Sequence, residues 1–301
     1  MDSIKKAAFV AVVGRPSVGK STLVNHLCGA KVAIVSAVPQ TTRNAIRGIL
    51  HRAEGQLVFV DTPGRHESTR KLNQKLMEVS DRSLEEADLI LYGLDASRPP
   101  GPEETAIAQR LAPLVERTIA AVNKIDLPQG DYERSLAFLQ QRLPGLVPAR
   151  CFPVSALKGT GTAALVSGLL AMAGEGTPFY PEEYYTDQEL PFRIAEIIRE
   201  KAISRLREEI PHALYVEVAD AELRDAGTRL WVRAFIITER ESQKGMVVGK
   251  GGVLIKAIRL AAQKDLNRIL DWKVELDLRV KTAHDWRHND RVLRRLTGLG
   301  R

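Results

Sequence analysis

The sequence predicts a doubly wound, mainly parallel α/β domain over residues 1–173, a connecting segment at 174–189 and a smaller α+β domain over 190–301. Three observations lead there. Apolar runs alternate with amphipathic helical stretches through residue 173, the pattern of a parallel sheet covered on both faces. The first apolar run, Ala7 to Val13, feeds directly into a glycine-rich turn and a helix. The excess positive charge is confined to the last third: residues 190–301 hold 23 Lys and Arg against 16 Asp and Glu, while residues 1–189 hold 21 of each.

In the first domain, strands are predicted near 7–13, 45–52, 56–60, 88–94, 117–122 and 150–154, because each is a short apolar run bounded by turn or charged residues. Helices are predicted near 20–29, 70–84, 103–111, 132–142 and 161–172, where the apolar positions recur at helical spacing. Gly174 to Gln188 carries proline, glycine and four aromatics without a period, and reads as a linker that packs. From Pro191 to Ile210 apolar and charged residues alternate as on an amphipathic helix. Tyr215–Val218 and Arg229–Ile237 read as an antiparallel pair around Asp225-Ala226-Gly227. A helix from Val253 to Ile269 and a strand from Trp272 to Lys281 follow.

Composition bounds the function classes. A length of 301 residues with 44% hydrophobic content allows two domains with real cores. No stretch reaches the roughly 18–20 apolar residues needed to span a bilayer, and Met-Asp-Ser-Ile-Lys-Lys runs into the first strand without room for a signal peptide. A cytoplasmic location is expected. Cys28 and Cys151 read as buried thiols of a reducing compartment, and six scattered histidines argue against a metal site built from side chains alone. The basic last third calls for an anionic partner.

Residues Gly14, Arg15, Pro16, Ser17, Val18, Gly19, Lys20 and Ser21, with Thr22 behind them, form a phosphate-binding signature. Gly14 and Gly19 let successive N–H groups point at one spot, where the helix N-terminus adds partial positive charge. Lys20 supplies a full charge to the β and γ phosphates, and the Ser21 hydroxyl suits Mg²⁺. Further motifs sit where strands end, the edge at which such sheets gather ligands. Asp61-Thr62-Pro63-Gly64 offers a carboxylate to Mg²⁺ through a water and the Gly64 N–H to a γ-phosphate. Asn123-Lys124-Ile125-Asp126 offers guanine a carboxylate for its N1–H and exocyclic amine, a donor pair adenine lacks. Asn123 ties that loop to the phosphate loop, and the Lys124 stem lies along the base. Ser155-Ala156-Leu157 follows the last strand, with the Ala156 N–H in reach of guanine O6. Residues 30–44 read as a long loop closing over γ-phosphate and Mg²⁺, with Thr42 favoured over Thr41 as the metal ligand.

Together, Gly14–Ser21, Pro39-Gln40-Thr41-Thr42-Arg43, Asp61–Gly64, Asn123–Asp126 and Ser155-Ala156-Leu157 resemble the translation-factor-related branch of P-loop GTPases, and within it the bacterial Era family. Arg65 stands where Ras-like enzymes carry a water-orienting glutamine and where Era-like enzymes usually carry an apolar side chain. The expectation is that no side chain there activates water, so that hydrolysis is slow without a partner. The alternative, an inward-swinging arginine, would show as a single-turnover loss of about a hundredfold or more in Arg65→Leu.

In the basic domain, Val248-Gly249-Lys250-Gly251-Gly252 matches the GXXG loop of KH domains, whose backbone lies against a short run of nucleotides. No Lys-Ser/Thr pair follows, which sets aside a second phosphate loop. The element order helix–strand–strand–helix–loop–helix–strand resembles a type 2 KH domain. Lys244, Val248, Gly249, Lys250, Gly251, Gly252, Val253 and Lys256 are the candidate RNA contacts, within a segment, 244–301, of 14 basic and 6 acidic residues. Val247 and Ile255 are further apolar candidates. The tail from His284 to Leu296 either extends an RNA groove or caps the domain. The Era resemblance covers nearly the whole chain. It implies binding to the 3′ end of 16S rRNA, assembly of the 30S subunit and a cytoplasmic protein with some peripheral membrane association; a monomer is expected. A signalling-type GTPase whose basic domain meets acidic lipid or a protein is the rival.

Overall fold

A computed structural model describes residues 5–36, 38, 41–64 and 71–298. The chain divides into two compact units: Met1–Ala33, Thr42–Asp187 and Arg294–Arg301 form one, and Ile34–Thr41 with Gln188–Leu293 form the other.

The first unit follows the order β1 (Lys6–Val13), α1 (Lys20–Cys28), β2 (Ile46–Arg52), β3 (Gly55–Asp61), α2 (Lys71–Glu86), β4 (Leu89–Asp95), α3 (Pro102–Leu111), β5 (Thr118–Asn123), α4 (Tyr132–Arg142), β6 (Cys151–Pro153), α5 (Thr162–Met172) and β7 (Gly174–Glu175). The sheet runs β2-β3-β1-β4-β5-β6, with β7 paired to β1. All pairings along that path are parallel except β2–β3, which forms a hairpin. Strands β3, β4 and β5 are buried at every position, which is why they read as unbroken apolar runs rather than alternating ones. Ile90, Tyr92, Leu94, Leu111, Leu139 and Leu143 pack one face of the sheet. Each such large apolar side chain contributes about 1.5–3 kcal/mol on full burial.

The connecting segment is laid against this unit. The Phe179 and Phe9 rings meet at 4.5 Å. Gln56 Oε1 accepts the N–H groups of Phe179 (2.8 Å) and Tyr180 (3.1 Å), and its Nε2 donates to Tyr180 O at 2.7 Å. Along β2, Ile49 N–H donates to Tyr185 O (2.9 Å) and Arg47 pairs with Asp187 (2.8 Å).

The second unit contains α6 (Leu190–Ile203), β8 (Leu214–Arg224), β9 (Arg229–Thr238), α7 (Glu241–Val248), α8 (Val253–Ile269) and β10 (Lys273–Thr282), and α9 (Asp290–Thr297) begins within it. Its sheet runs β10-β9-β8, with β8–β9 antiparallel and β9–β10 parallel. Ile194, Ile197 and Ile198 of α6 and Ile258, Ala262 and Leu266 of α8 bury one sheet face. Ile34, Val35 and Thr41 fold with this unit: Ile34 joins its apolar core, Glu200 Oε1 accepts the Val35 N–H at 2.9 Å, and the Arg199 guanidinium donates to Thr41 O.

Three details depart from expectation. The helix predicted to Ile210 stops at Ile203; Leu206 and Ile210 stay buried, but Glu208 turns left-handed (φ 56°) and a short helical turn over Ile210–His212 follows. Strand β8 runs six residues past Val218, beyond a register shift, in a polar stretch that carries no alternation. The C-terminal tail caps the unit through Trp286, whose indole is 1% exposed, meets Tyr215 edge-on at 4.9 Å and donates to Ala213 O at 3.1 Å.

Candidate functional site

The phosphate loop links β1 to α1 with Gly14 at φ 152°, Ser17 at 62° and Gly19 at 100°. Gly19 is a close approach as well as a bend: a Cβ there would stand 2.5 Å from Asn123 Nδ2. Lys20 folds back over the loop, its ammonium donating to Gly14 O (2.9 Å) and Arg15 O (3.1 Å). Three oxygens converge beside it. Ser21 Oγ donates to Asp61 Oδ2 at 2.6 Å, and Thr42 Oγ1 lies 3.1 Å from Ser21 Oγ and 3.3 Å from Asp61 Oδ2. Asp61 Oδ1 is buried and has no hydrogen-bond partner among the described residues. Burial raises the Asp61 carboxyl, opposed by the Lys20 charge and the two hydroxyls. Two hydroxyls and a buried carboxylate, one of whose oxygens is unsatisfied among the described residues, form a donor set that fits Mg²⁺. Thr41 points elsewhere, donating to Val38 O at 2.5 Å.

Thr62 Oγ1 donates to Val12 O (2.7 Å), pinning the turn after β3 to the central strand. Gly64 passes so close to the phosphate loop that a Cβ would meet Pro16 backbone at 2.9 Å. Pro39, Gln40 and Arg65 lie outside the described residues.

At the far end, Asn123 Nδ2 donates to Val18 O (2.8 Å) while its Oδ1 accepts the Ala156 N–H (2.9 Å). Lys124, at φ 68°, donates to Ser17 O (2.8 Å) and Asp95 Oδ2 (2.7 Å). Ile125 N–H reaches Val154 O at 3.4 Å. The Asp126 carboxylate is half-buried and makes no hydrogen bond or ion pair among the described residues. The Ala156 N–H, expected from the sequence to face guanine O6, donates here to Asn123 Oδ1. Ser155 is fully buried and orders its own turn, its Oγ accepting the Lys158 N–H (3.1 Å), with Leu157 exposed beside it.

In the second unit, α7 ends at Val248 and α8 starts at Val253, with Gly249, Gly251 and Gly252 left-handed between them (φ 72°, 60° and 77°). Among the described residues nothing lies within 4 Å of a Cβ built at Gly251 or Gly252, so they leave the loop backbone open on that side. Lys250 and Lys256 are exposed, and Val253, 70% exposed, lies next to the loop. Lys244 instead pairs with Glu241 at 2.7 Å. Val247 is core, Val248 and Ile255 are half-buried, and Trp286 is not available for stacking. Glu239, Asp285 and His288 come within 4.8 Å of one another, but Glu239 is paired with Arg287 and Asp285 with His288.

A family model described as 50S ribosome-binding GTPase matches residues 9–124, and one described as KH domain matches residues 209–287. The chain is 49% identical to GTPase Era of Treponema denticola over 291 residues, covering 97% of this chain and 99% of that protein. The chain belongs to the Era family of GTPases. GTPase Era of Treponema pallidum is 45% identical over 94% of each chain. Among solved structures, an Aquifex aeolicus Era variant bound to GDP·AlF4⁻ is similar with a TM-score of 0.91 at 38% identity, covering 97% of this chain and 99% of that one. A structure of Era with MgGDPNP and nucleotides 1506–1542 of 16S ribosomal RNA gives 0.92 at 38% identity, covering 98% and 99%. The Era-family architecture is therefore a P-loop GTPase domain followed by a KH domain.

Two site residues escaped the sequence reading. Asp95 ends β4, and Glu104 lies in the first turn of α3; both are buried against Arg15. An acidic residue at the carboxyl end of an apolar strand was the available signal for Asp95.

Burial pushes the Lys20 ammonium down to about 8, with Asp61 pulling the other way. A bound phosphate stabilises the protonated form, so the sign follows directly. Below pH 8 nucleotide binding leaves Lys20 unchanged; above it, binding takes up a proton and affinity falls about tenfold per pH unit until the bound-state pKa is passed. Titration calorimetry at pH 9 in buffers of different ionisation enthalpy is expected to give different heats. Equal heats would rule out the Lys20 proton uptake.

Proposed function

We propose that this chain is a slow GTP-hydrolysing switch that binds the unpaired 3′ end of 16S rRNA and assists 30S subunit assembly, working as a cytoplasmic monomer with peripheral membrane association. The observation that carries the reading is the likeness, over 98% of the chain, to an Era structure holding MgGDPNP and 16S rRNA nucleotides. No helix among the described residues is long and apolar enough to cross a membrane.

In this reading Lys20 leaves the carbonyls of Gly14 and Arg15 for the β and γ phosphates. The N–H groups between Gly14 and Ser21 surround the phosphates, with the α1 N-terminus behind them. The Ser21 and Thr42 hydroxyls would hold Mg²⁺ directly and Asp61 would hold it through a water; bound there, the ion would supply charge neutralisation for phosphoryl transfer. Gly64 donates its N–H to the γ-phosphate, and Asp126 accepts both guanine donors. Lys244, Val248, Gly249, Lys250, Gly251, Gly252, Val253 and Lys256 form the RNA cradle. Support for coupling comes from chain order: Thr42 follows directly on Ile34–Thr41, which folds with the KH unit.

If the two ligands are linked, RNA that prefers the GTP state must tighten GTP by the same factor. The test is affinity for a 16S 3′-end oligonucleotide with GDPNP and with GDP, against ATP analogues as controls. Tighter RNA binding with GDPNP is expected. Equal affinity in both states, or preference for ATP, would defeat the proposal, and anionic vesicles competing as well as RNA would favour the lipid reading.

A further inference from the structure

The carboxylate of Asp95 is wholly buried at the end of β4, beside Asn123 in the neighbouring strand. One of its oxygens, Oδ2, accepts from Arg15 Nη2 at 2.8 Å and from Lys124 Nζ at 2.7 Å. The other accepts the Ser97 N–H (3.0 Å) and Ser97 hydroxyl (2.5 Å), which fix the orientation of the group. Arg98 adds a weaker ion pair at 3.5 Å. Burial alone would raise the Asp95 carboxyl; the bonds from Lys124 and Ser97 outweigh it and hold it low, so it stays charged.

Two cations from different loops thus meet at one oxygen. Arg15 belongs to the phosphate loop and is held on its other side by Glu104, whose Oε2 accepts the Gly101 N–H at 2.8 Å. Lys124 belongs to the base loop and also grips Ser17 O. Remove the carboxylate charge, and the buried Arg15 and the partly exposed Lys124 face each other uncompensated. The side chain free to relieve this is Lys124, because Arg15 keeps Glu104. Its shift would carry the backbone on either side, and Asp126 is two residues away.

We propose that Asp95 is the positioning residue that sets the base loop against the phosphate loop, and through it how strongly the site prefers guanine over a base lacking the exocyclic amine. This rests on the guanine-nucleotide reading above. Asp95 itself touches neither base nor phosphate; it acts through Lys124 and Arg15.

The experiment measures GDP, IDP and ADP affinities for the full chain and for Asp95→Asn, Lys124→Met and the double variant. IDP lacks the amine and so gives Asp126 one donor instead of two. The unaltered chain is expected to prefer GDP to both; failure there defeats the guanine reading and is seen before any variant is made. In Asp95→Asn the GDP-over-IDP preference is expected to fall about fivefold or more. The double variant is expected to lose little beyond Lys124→Met, because both changes break one linkage. General destabilisation would weaken GDP and IDP alike and leave their ratio unmoved. A ratio within twofold in folded Asp95→Asn, or losses that multiply in the double variant, would overturn the proposal. If Asp95→Asn does not fold, Ser97→Ala frees the same carboxylate more gently, and an unchanged ratio there overturns it too.

Discussion

Asp126→Asn is expected to convert a guanine site into a xanthine site. The half-buried carboxylate makes no bond of its own among the described residues, so its hydrogen-bonding capacity is available to a base. Two acceptor oxygens match the N1–H and exocyclic amine of guanine. An amide presents one acceptor and one donor, which matches the N1–H and C2 carbonyl of xanthine instead. A site built around paired acceptors rejects a mismatched base strongly, because a buried polar group is left without its partner. GDP affinity should fall about a hundredfold or more while XDP affinity rises, read by competition against fluorescent nucleotides. The loop itself should hold, since its anchors are Asn123 to Val18, Lys124 to Ser17 and Ile125 to Val154. A variant that keeps GDP within fivefold and gains nothing for XDP would show that Asp126 does not read the base.

Lys250→Glu combined with Gly251→Asp should abolish RNA capture and leave GDP affinity unchanged. Lys250 is exposed at the loop tip and forms no ion pair among the described residues. Gly251 sits at φ 60° with open space where a side chain would go, and aspartate tolerates that region better than most residues. The fold should therefore survive, while two negative charges replace a positive one where phosphates approach the backbone. A loss of about a hundredfold in affinity for a 16S 3′-end oligonucleotide is expected, with a salt dependence made shallower by about one phosphate contact. Unimpaired RNA binding would move the interface away from this loop.

Much of the fold was legible because the strands are buried on both faces. The run predicted at 117–122 is β5 at Thr118–Asn123, and the helix predicted at 132–142 is α4 to the residue. The phosphate loop and the loops after β3, β5 and β6 were legible for a related reason: each needs particular residue types at fixed spacing directly after an apolar run. What escaped depends on partners far away in sequence. Asp95 is one of 37 acidic residues, and only its meeting with Arg15, 80 positions earlier, and with Lys124 distinguishes it. Nothing in Ser155-Ala156-Leu157 shows that the Ala156 N–H bonds Asn123 Oδ1, 33 residues away. The polar half of β8 has no alternation to read, and α6 ends early for a tertiary reason, the turn that leads into β8.

The aromatic segment after α5 has a practical consequence. A shortened chain ending at residue 173 would strip β7 from β1, bare the Phe9 ring and orphan the Gln56 amide, which is 1% exposed in the intact protein. Such a fragment should be sticky and hard to purify, whereas one cut after Asp187 keeps its own wrapping. The natural seam for excising the nucleotide-binding half lies fifteen residues downstream of the last helix that the eye takes for its end.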